Sequence, residues 1–321
     1  MKKILICGVT GFMGTNIAKH FLKRPDLYEV YGVCSFDRCT DLPLKKIYSC
    51  DLTEQRAMDH VFKDQQFDLV VQAAATTSGS KDIVERPYIH TTDNAVMNSL
   101  ILRACYETGV KHFVFLSCCV MYQPGDMPRK ESDFKESDTL YPTYFGVGWT
   151  KIYVEKMCEF YSRLGRTKHT VLRHTNTYGP YDKYDPEHSH VFGATVRKVM
   201  DAEENSDITV WGNGTDTARD LLYVDDVAEC IEMALDKQST PYELLNVSYG
   251  ETITVADMVK AIIEASGKKL GIKYDTTKPS IPTKLAIDHS KVKAAFGWSP
   301  NTSFQDGVKK TIAWYKETYK K

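Results

Sequence analysis

The chain has 321 residues, 42% of them hydrophobic, and a formal net charge of −1. This length allows one large α/β domain with an appended lobe, or two closely packed domains. The near-neutral charge predicts no basic face, so nucleic acid is not an expected partner. No apolar run reaches the roughly 18 residues of a membrane span, and no signal-peptide pattern precedes the first apolar run. Nine cysteines without C-x-x-C spacing predict reduced thiols, no metal site and a cytoplasmic protein.

The N-terminal residues predict a turn that binds a dinucleotide. Lys3–Cys7 is a short apolar run typical of a buried parallel strand, and a helical pattern follows Gly14. Glycines at positions 8, 11 and 14 between them allow a tight turn and a close approach of pyrophosphate to the helix N-terminus. A plain packing turn is the alternative interpretation. The predicted cofactor contacts here are Gly8, Thr10, Gly11, Phe12, Met13 and Gly14.

Strand and helix patterns then alternate along the chain. The predicted strands are Glu29–Cys34, Lys46–Cys50, Asp68–Ala75, His112–Ser117 and Thr170–His174. The predicted helices run from a Thr53 cap to Phe62, from Asp93 to Thr108 with Gly109 as the stop, and from Thr150 to Arg163. This alternation predicts an α/β fold of the Rossmann type, a doubly wound parallel sheet with ligands at the carboxyl ends of its strands.

The pattern loosens after Pro180. One helix is predicted near Val191–Ala202 and a short strand at Ile208–Trp211, and capping motifs predict later helices after Thr254 and Ser303. Asp225–Leu235 and Leu244–Val247 again show the patterns of the N-terminal part of the chain. We therefore expect residues 1–175 and 218–247 to form the dinucleotide-binding domain. Residues 176–217 and 248–321 would form a smaller, interleaved C-terminal lobe that binds the second ligand.

Several motifs extend this pattern over nearly the whole chain. They are Gly8–Gly14, Asp51-Leu52, Ala73–Ala75, Asn94, Lys151 followed by Glu155, Asn176–Pro180, Asp185–Val191, Val210–Gly214 and Arg219–Asp226. Together they resemble the extended short-chain dehydrogenase/reductases that act on nucleotide sugars, and within that group the GDP-L-fucose synthases. The resemblance implies a nicotinamide cofactor, a nucleotide-sugar substrate, with a GDP-linked sugar expected, and a homodimer.

The resemblance also implies roles for single residues. Lys151 would hold the nicotinamide ribose and lower the pKa of a catalytic hydroxyl, and His190 would protonate a sugar carbon during epimerisation. The other implied cofactor contacts are Asp51, Leu52, Ala73, Ala74, Ala75, Asn94 and His174. The implied substrate contacts are Asn176, His190, Val191, Val210, Trp211, Arg219 and Lys284. An indole face suits a nucleotide base, and a guanidinium suits a phosphate.

Three positions depart from the family pattern. Val147 stands where the family has its catalytic tyrosine, Cys118 where it has serine or threonine, and Val120 where the fucose enzyme has its base. A valine transfers no proton, so another group must do so if the chain is an active enzyme. The alternatives are Tyr144, Cys118, His190 or a water held by Lys151. Each also has a plainer interpretation: Tyr144 as a packed aromatic, Cys118 as a buried small residue, His190 as a local cap and Lys151 as a solvated helix lysine.

The end of the second predicted strand bears on cofactor choice. NAD-binding proteins place an acidic residue there for the ribose hydroxyls, whereas this chain has Cys34 and Ser35. With Ser35 and Arg38 within reach of a 2′-phosphate, the pattern favours NADP, although Asp37 argues for NAD.

The sequence thus predicts an NADP(H)-dependent oxidoreductase or epimerase that transfers hydride at a sugar carbon, C4 being expected. Two alternatives stay open: a cofactor- and sugar-binding protein without turnover, and an NAD-linked 4-epimerase or dehydrogenase for another nucleotide sugar. The implied dimer would pair the Asn94 and Lys151 helices. Surplus apolar residues on the second of these fit that interface: Ile152, Tyr153, Met157, Phe160 and Tyr161.

Overall fold

Seven parallel strands form the main sheet. The computed structural model describes residues 1–77, 86–125, 127–185, 189–277 and 283–319. In chain order the strands are β1 (Lys2–Cys7), β2 (Tyr28–Cys34), β3 (Lys46–Ser49), β4 (Leu69–Gln72), β5 (His112–Cys118), β6 (Lys168–His174), β7 (Asn176–Tyr178), β8 (Asp207–Trp211), β9 (Ala218–Tyr223), β10 (Tyr242–Val247), β11 (Thr252–Thr254), β12 (Gly271–Asp275) and β13 (Lys284–Leu285). The main sheet has the order β3-β2-β1-β4-β5-β6-β10. The predicted doubly wound parallel sheet is confirmed, and its strand order reverses between β1 and β4, where such folds bind ligands.

In the described part of the chain, helices cover both faces of this sheet, and three further helices pack in a separate core. In chain order the helices are α1 (Phe12–Leu22), α2 (Gln55–Asp64), α3 (Thr92–Thr108), α4 (Phe145–Arg163), α5 (Val191–Asp201), α6 (Val224–Lys237), α7 (Val255–Ser266), α8 (Ser290–Phe296) and α9 (Phe304–Tyr319). Among the described residues, no helix is both long and apolar enough to cross a membrane.

Most predicted helix ends are confirmed, and two are wrong. Gly109 ends α3 in the left-handed conformation, and the Thr254 hydroxyl caps α7 by accepting the Asp257 N–H at 3.0 Å. Thr53 does not cap α2, because its own N–H and hydroxyl donate to Asp51 and the helix starts two residues later. The Lys151 helix begins at Phe145 rather than Thr150, directly after a 3₁₀ turn.

A second group of strands carries most of the predicted substrate contacts. β9 pairs with β7, β11 and β13, and β8 pairs with β12. Residues 218–223 therefore hydrogen-bond within this second group, whereas β10 lies at the edge of the main sheet. The division of the chain into two domains at the expected boundaries stays a prediction.

Alternate side chains of β1 enter two different cores. Ile4 and Ile6 pack with α1 and α6, whereas Leu5 and Cys7 pack with α2, α3 and α4. All four side chains are fully buried. This two-sided burial explains why the strand is an unbroken apolar run rather than an alternating one.

A buried ion pair ties four elements together beneath the carboxyl edge of the sheet. Arg173 of β6 donates to Glu155 of α4 at 2.6 Å, and both side chains are 3% exposed. The Ser117 hydroxyl donates to the same carboxylate at 2.6 Å. Arg173 also donates to the Tyr122 hydroxyl, which in turn donates to Asn246 of β10. Because every partner is buried, loss of one charge leaves the other uncompensated.

We expect the Arg173→Met substitution to destabilise the fold by about 3–5 kcal/mol, because the Glu155 carboxylate stays buried without its cation. The free energy of unfolding in urea measures this effect. Arg163→Met is the matched control, since its exposed pair with Glu159 on the same helix contributes less than about 1 kcal/mol. Equal losses in the two variants would contradict this account of the buried pair.

Two buried histidines predict acid sensitivity. Burial lowers the pKa of His112 and of His169 to about 4. In the unfolded chain both titrate near the ordinary value of about 6.5. The unfolded state therefore binds more protons between these values, and stability present above pH 6.5 is lost as the pH falls towards 4.

This loss should reach about 3 kcal/mol per histidine at pH 4, measured by urea unfolding between pH 7 and pH 4. His169→Phe should flatten the pH dependence, because its ring packs beside Phe113 and no longer titrates. The same substitution at the exposed His60 serves as control and should leave the slope unchanged. A His169→Phe variant as acid-sensitive as the parent would refute the assignment.

Candidate active site at the carboxyl edge of the sheet

The glycine turn after β1 is a compact cradle at the start of α1. Gly8 has φ +78°, and a Cβ there would lie 2.6 Å from the Cα of Ala74. A Cβ on Gly14 would lie 2.1 Å from the Gly8 carbonyl oxygen. Gly11 precedes α1 and supplies no side-chain cap, so the first N–H groups of the helix are left for a ligand. These features fit the diphosphate of a dinucleotide.

The end of β4 forms the next wall of the groove. Ala73 and Ala74 are half-buried and Ala75 is exposed, since the strand ends at Gln72, earlier than predicted. The Asn94 amide accepts the Thr76 N–H at 3.0 Å and donates to the Thr76 carbonyl at 2.9 Å. Asn94 thus shapes the groove through the backbone of this segment. Its direct contact with a cofactor stays a prediction.

The ends of β2 and β3 lie on the other side of β1. Ser35 and Arg38 are exposed in a turn closed by the Arg38 N–H, which donates to the Ser35 carbonyl at 3.1 Å. A hydrogen bond from the Ser35 hydroxyl lowers the pKa of Asp37. After β3, Asp51 is exposed and Leu52 is buried. The turn therefore offers one exposed guanidinium and one carboxylate already engaged by its neighbour.

The side chain of Lys151 extends from α4 to the carboxyl end of β5. Its ammonium donates to the Leu116 carbonyl at 2.8 Å and lies 4.8 Å from the Phe115 ring centre. Burial lowers its pKa, against the opposing effect of Cys118 and Glu155. A held, partly desolvated ammonium at this edge can stabilise a nearby anion.

Cys118 and His174 end two neighbouring strands. They are in register in the β5–β6 pair, and both are half-buried. His174 Nδ1 lies 2.8 Å from the Thr175 carbonyl oxygen. Burial lowers the pKa of His174 to about 4, and Lys151 and His190 act in the same direction. The sequence patterns placed His174 only among the cofactor contacts, although strand-end position in neighbouring strands was a signal for this pairing.

Tyr144 lies outside the Lys151 helix. It ends the 3₁₀ turn Pro142–Tyr144 and immediately precedes α4. Burial raises the pKa of its phenol, and the Arg219 guanidinium opposes this rise. Tyr144 therefore lies within electrostatic range of Arg219 and of Cys118 at the end of β5. Val147 occupies the first turn of α4 and is half-buried.

The start of α5 and the end of β8 carry four predicted substrate contacts. His190 precedes α5 and Val191 begins it, and both are exposed. The pKa of His190 is lowered by desolvation, then by the charge of Lys183. Val210 is buried in the core of the second lobe, whereas Trp211 is 53% exposed. The indole is thus available to a ligand and the Val210 side chain is not.

The second sheet carries the remaining three predicted substrate contacts. Arg219 of β9 donates to the Thr283 carbonyl at 2.6 Å, and burial lowers its pKa. Lys284 is exposed on β13, paired with the residue before Arg219. Asn176 is exposed on β7, which pairs with the other half of β9. The small sheet around β9 thus carries two cations, Arg219 and Lys284, and the amide of Asn176.

Lys183 was missed by the sequence patterns, which give no signal for it beyond its place after Pro180. Its ammonium donates to the Thr77 carbonyl at 3.0 Å, at the end of the β4 wall. The same loop is held on α1, because the Asn16 amide donates to the Pro180 carbonyl at 2.8 Å. These bonds link the second lobe to both walls of the groove. Among the described residues, no group of three histidine, cysteine or acidic side chains is arranged to hold a metal.

Three comparisons relate this site to known proteins. The chain is 30% identical to the putative GDP-L-fucose synthase 2 of Arabidopsis thaliana, over 98% of this chain and 92% of that protein. It is 28% identical to the GDP-L-fucose synthase of Escherichia coli strain K12, over 98% and 97% of the two chains. The crystal structure of UDP-glucose 4-epimerase with UDP-glucose from Thermotoga maritima matches with a TM-score of 0.84 and 25% identity, over 98% and 99%.

The sequence profile of the NAD dependent epimerase/dehydratase family matches residues 4–248. This range includes the glycine turn, the Lys151 helix and the in-register ends of β5 and β6. With the profile match, the full-length relatives and the common fold, the chain belongs to the NAD dependent epimerase/dehydratase family.

Proposed function

We propose that this protein is an NADP(H)-dependent oxidoreductase or epimerase that transfers hydride at C4 of a GDP-linked sugar. The observation that carries the proposal is the meeting of two features at one edge of the sheet. A glycine turn opens the first helix, and the Lys151 ammonium is held two strands away, at the end of β5. Two relatives named as GDP-L-fucose synthases, similar over nearly the full chain, support the nucleotide-sugar class.

The cofactor would lie along the groove between the glycine turn and Lys151. Bound there, the nicotinamide supplies hydride chemistry that no side chain can supply. The N–H groups at the start of α1 would hold the diphosphate, and Asp51 and Leu52 would lie beside the adenosine. Lys151 would hold the nicotinamide ribose. These assignments rest on position and on the chemistry of the groups.

The substrate would lie against the second lobe. Arg219 and Lys284 are cations suited to a diphosphate, and the exposed Trp211 indole is suited to a base. His190 and Asn176 would face the sugar. Since Val210 is buried, it would support Trp211 rather than touch the nucleotide.

We further propose that the protein acts in the cytoplasm as a homodimer formed through α3 and α4. Exposed apolar side chains on these helices include Val96, Tyr153 and Phe160, at 40–51% exposure. Burial of this surface against a second copy fits the covering that such residues require. Sedimentation at micromolar concentration measures the assembly, and a monomer would contradict it.

Two other functions have specific support. The UDP-glucose complex of a structurally similar epimerase favours an NAD-linked 4-epimerase for a UDP-sugar. Val147 in place of the catalytic tyrosine favours a binding protein without turnover. Both keep the cofactor groove, so the substrate experiment separates them.

The deciding experiment incubates the protein with NADP(H) or NAD(H) and a panel of GDP- and UDP-linked sugars and 4-keto sugars. We expect turnover of a GDP-sugar with NADP(H). The Gly11→Val variant is the control: its side chain would fill the pyrophosphate site, so cofactor fluorescence titration should show no binding to a folded protein. Turnover of UDP-sugars alone, or binding without turnover, would select one of the two alternatives. Unchanged cofactor affinity in Gly11→Val would refute the cofactor site.

Arg38 should distinguish the two cofactors. If its guanidinium pairs with a 2′-phosphate, Arg38→Ala should weaken NADP by about 1–3 kcal/mol and leave NAD nearly unchanged. The exposed Arg56 on α2 is the matched control, and Arg56→Ala should change neither affinity. Equal losses for NADP and NAD, or none, would contradict the NADP preference.

A further inference from the structure

The ends of β5 and β6 place a thiol beside an imidazole. Cys118 and His174 face each other in the parallel register of these strands. Side chains at one register position of neighbouring strands point to the same face of the sheet, about 5 Å apart. Both residues are half-buried, whereas the adjacent Cys119 is buried. The pair therefore opens into the cleft at the carboxyl edge, where ligands of this fold bind.

The imidazole has a defined orientation. Nδ1 lies 2.8 Å from the Thr175 carbonyl oxygen, an acceptor only, so Nδ1 carries the proton of the neutral ring. Thr177 Oγ1 is the second neighbour of Nδ1, at 3.1 Å. Nε2 then carries a lone pair, and no described residue forms a hydrogen bond with it. His174 thus presents a free proton acceptor on the strand next to the thiol.

Burial favours the neutral forms of both groups, a thiol and an imidazole. Burial raises the pKa of Cys118, while Lys151, Arg173 and the Val120 N–H oppose that rise and Glu155 adds to it. On the histidine side, burial is joined by the positive charge of Lys151 and by His190. Lys151 itself is held at Leu116, two residues before Cys118 on the same strand.

We propose that Cys118 and His174 form the proton-transfer pair of this site, with Sγ of Cys118 exchanging the proton of the sugar hydroxyl and Nε2 of His174 exchanging it with the thiol. The proposal rests on the function proposed above and replaces the hydroxyl that Val147 lacks. Tyr144 is the competing group. Its phenol lies within electrostatic range of both Arg219 and Cys118, so the turnover of Tyr144→Phe decides between the phenol and the thiol.

Each step balances. In the oxidative direction the O–H bond of the sugar hydroxyl breaks and its proton bonds to Sγ of Cys118, while the S–H proton of that thiol passes to Nε2 of His174. The C–H electron pair leaves as hydride to the oxidised nicotinamide, and the oxygen forms a C=O bond. Cys118 is thereby left as a thiol, and the imidazolium of His174 releases its proton to solvent. Reduction runs through the same steps in reverse.

Thiol alkylation tests the pair without substrate. The full-length protein is treated with iodoacetamide between pH 5 and pH 9, and fragment-ion mass spectrometry follows Cys118 separately from Cys119. We expect His174→Gln to slow Cys118 alkylation at pH 7 by about tenfold. His60→Gln, an exposed control, should leave the rate within about twofold. Protection of the fully buried Cys105 verifies that each variant is folded. An unchanged Cys118 rate in folded His174→Gln would overturn the pair.

Turnover tests the catalytic role. We expect Cys118→Ala and His174→Gln each to lower turnover at least about 100-fold, with little additional loss in the double variant, because the two groups act as a unit. In Cys118→Ala, cofactor affinity should stay within a few-fold. Activity retained in His174→Gln but lost in Tyr144→Phe would overturn the proposal. Absence of turnover in the parent protein would count against the proposed function instead, and the alkylation result would still decide the pair.

Discussion

The buried ion pair of Arg173 and Glu155 is the interaction on which the geometry of the site depends. Arg173 lies one residue before His174, and Glu155 lies one helical turn after Lys151. The pair therefore fixes the end of β6 against α4, with Ser117 of β5 as the third partner. Buried charges tolerate little displacement, because any separation leaves each one desolvated without compensation. The ammonium, the thiol and the imidazole at this edge take their relative positions from that constraint.

The carboxyl edge of the sheet is formed by two kinds of structure. Towards β1 it is built from backbone: a glycine turn, a helix start and a strand that ends in alanines. Towards β6 it is built from side chains fixed by buried polar contacts. The first kind suits a ligand recognised by its phosphates, and the second suits chemistry at a defined atom. Loop 180–183 joins the two, since it is tied to α1 through Asn16 and to the β4 end through Lys183.

The valine at position 147 is best interpreted together with the groups that lie around it in the structure. A tyrosine at this position would lie one helical turn before Lys151, whereas a valine supplies no hydroxyl. The groups that remain around it come from other elements: a thiol on β5, an imidazole on β6 and a phenol before α4. Groups able to carry a proton therefore lie at this edge of the sheet although the side chain of Val147 is not one of them.

The sequence by itself determined the parallel sheet, the glycine turn and most helix ends, because these depend on local patterns of burial, turn residues and caps. Through resemblance to a family it also indicated roles for Lys151 and for the substrate contacts, and these roles stay predictions. Only the tertiary structure decided which strand ends lie side by side. It placed Cys118 in register with His174, brought Lys183 within hydrogen-bonding distance of Thr77 and buried Val210. These contacts join residues that are distant along the chain. Local patterns carry no information about such contacts, since strand order and loop packing set them.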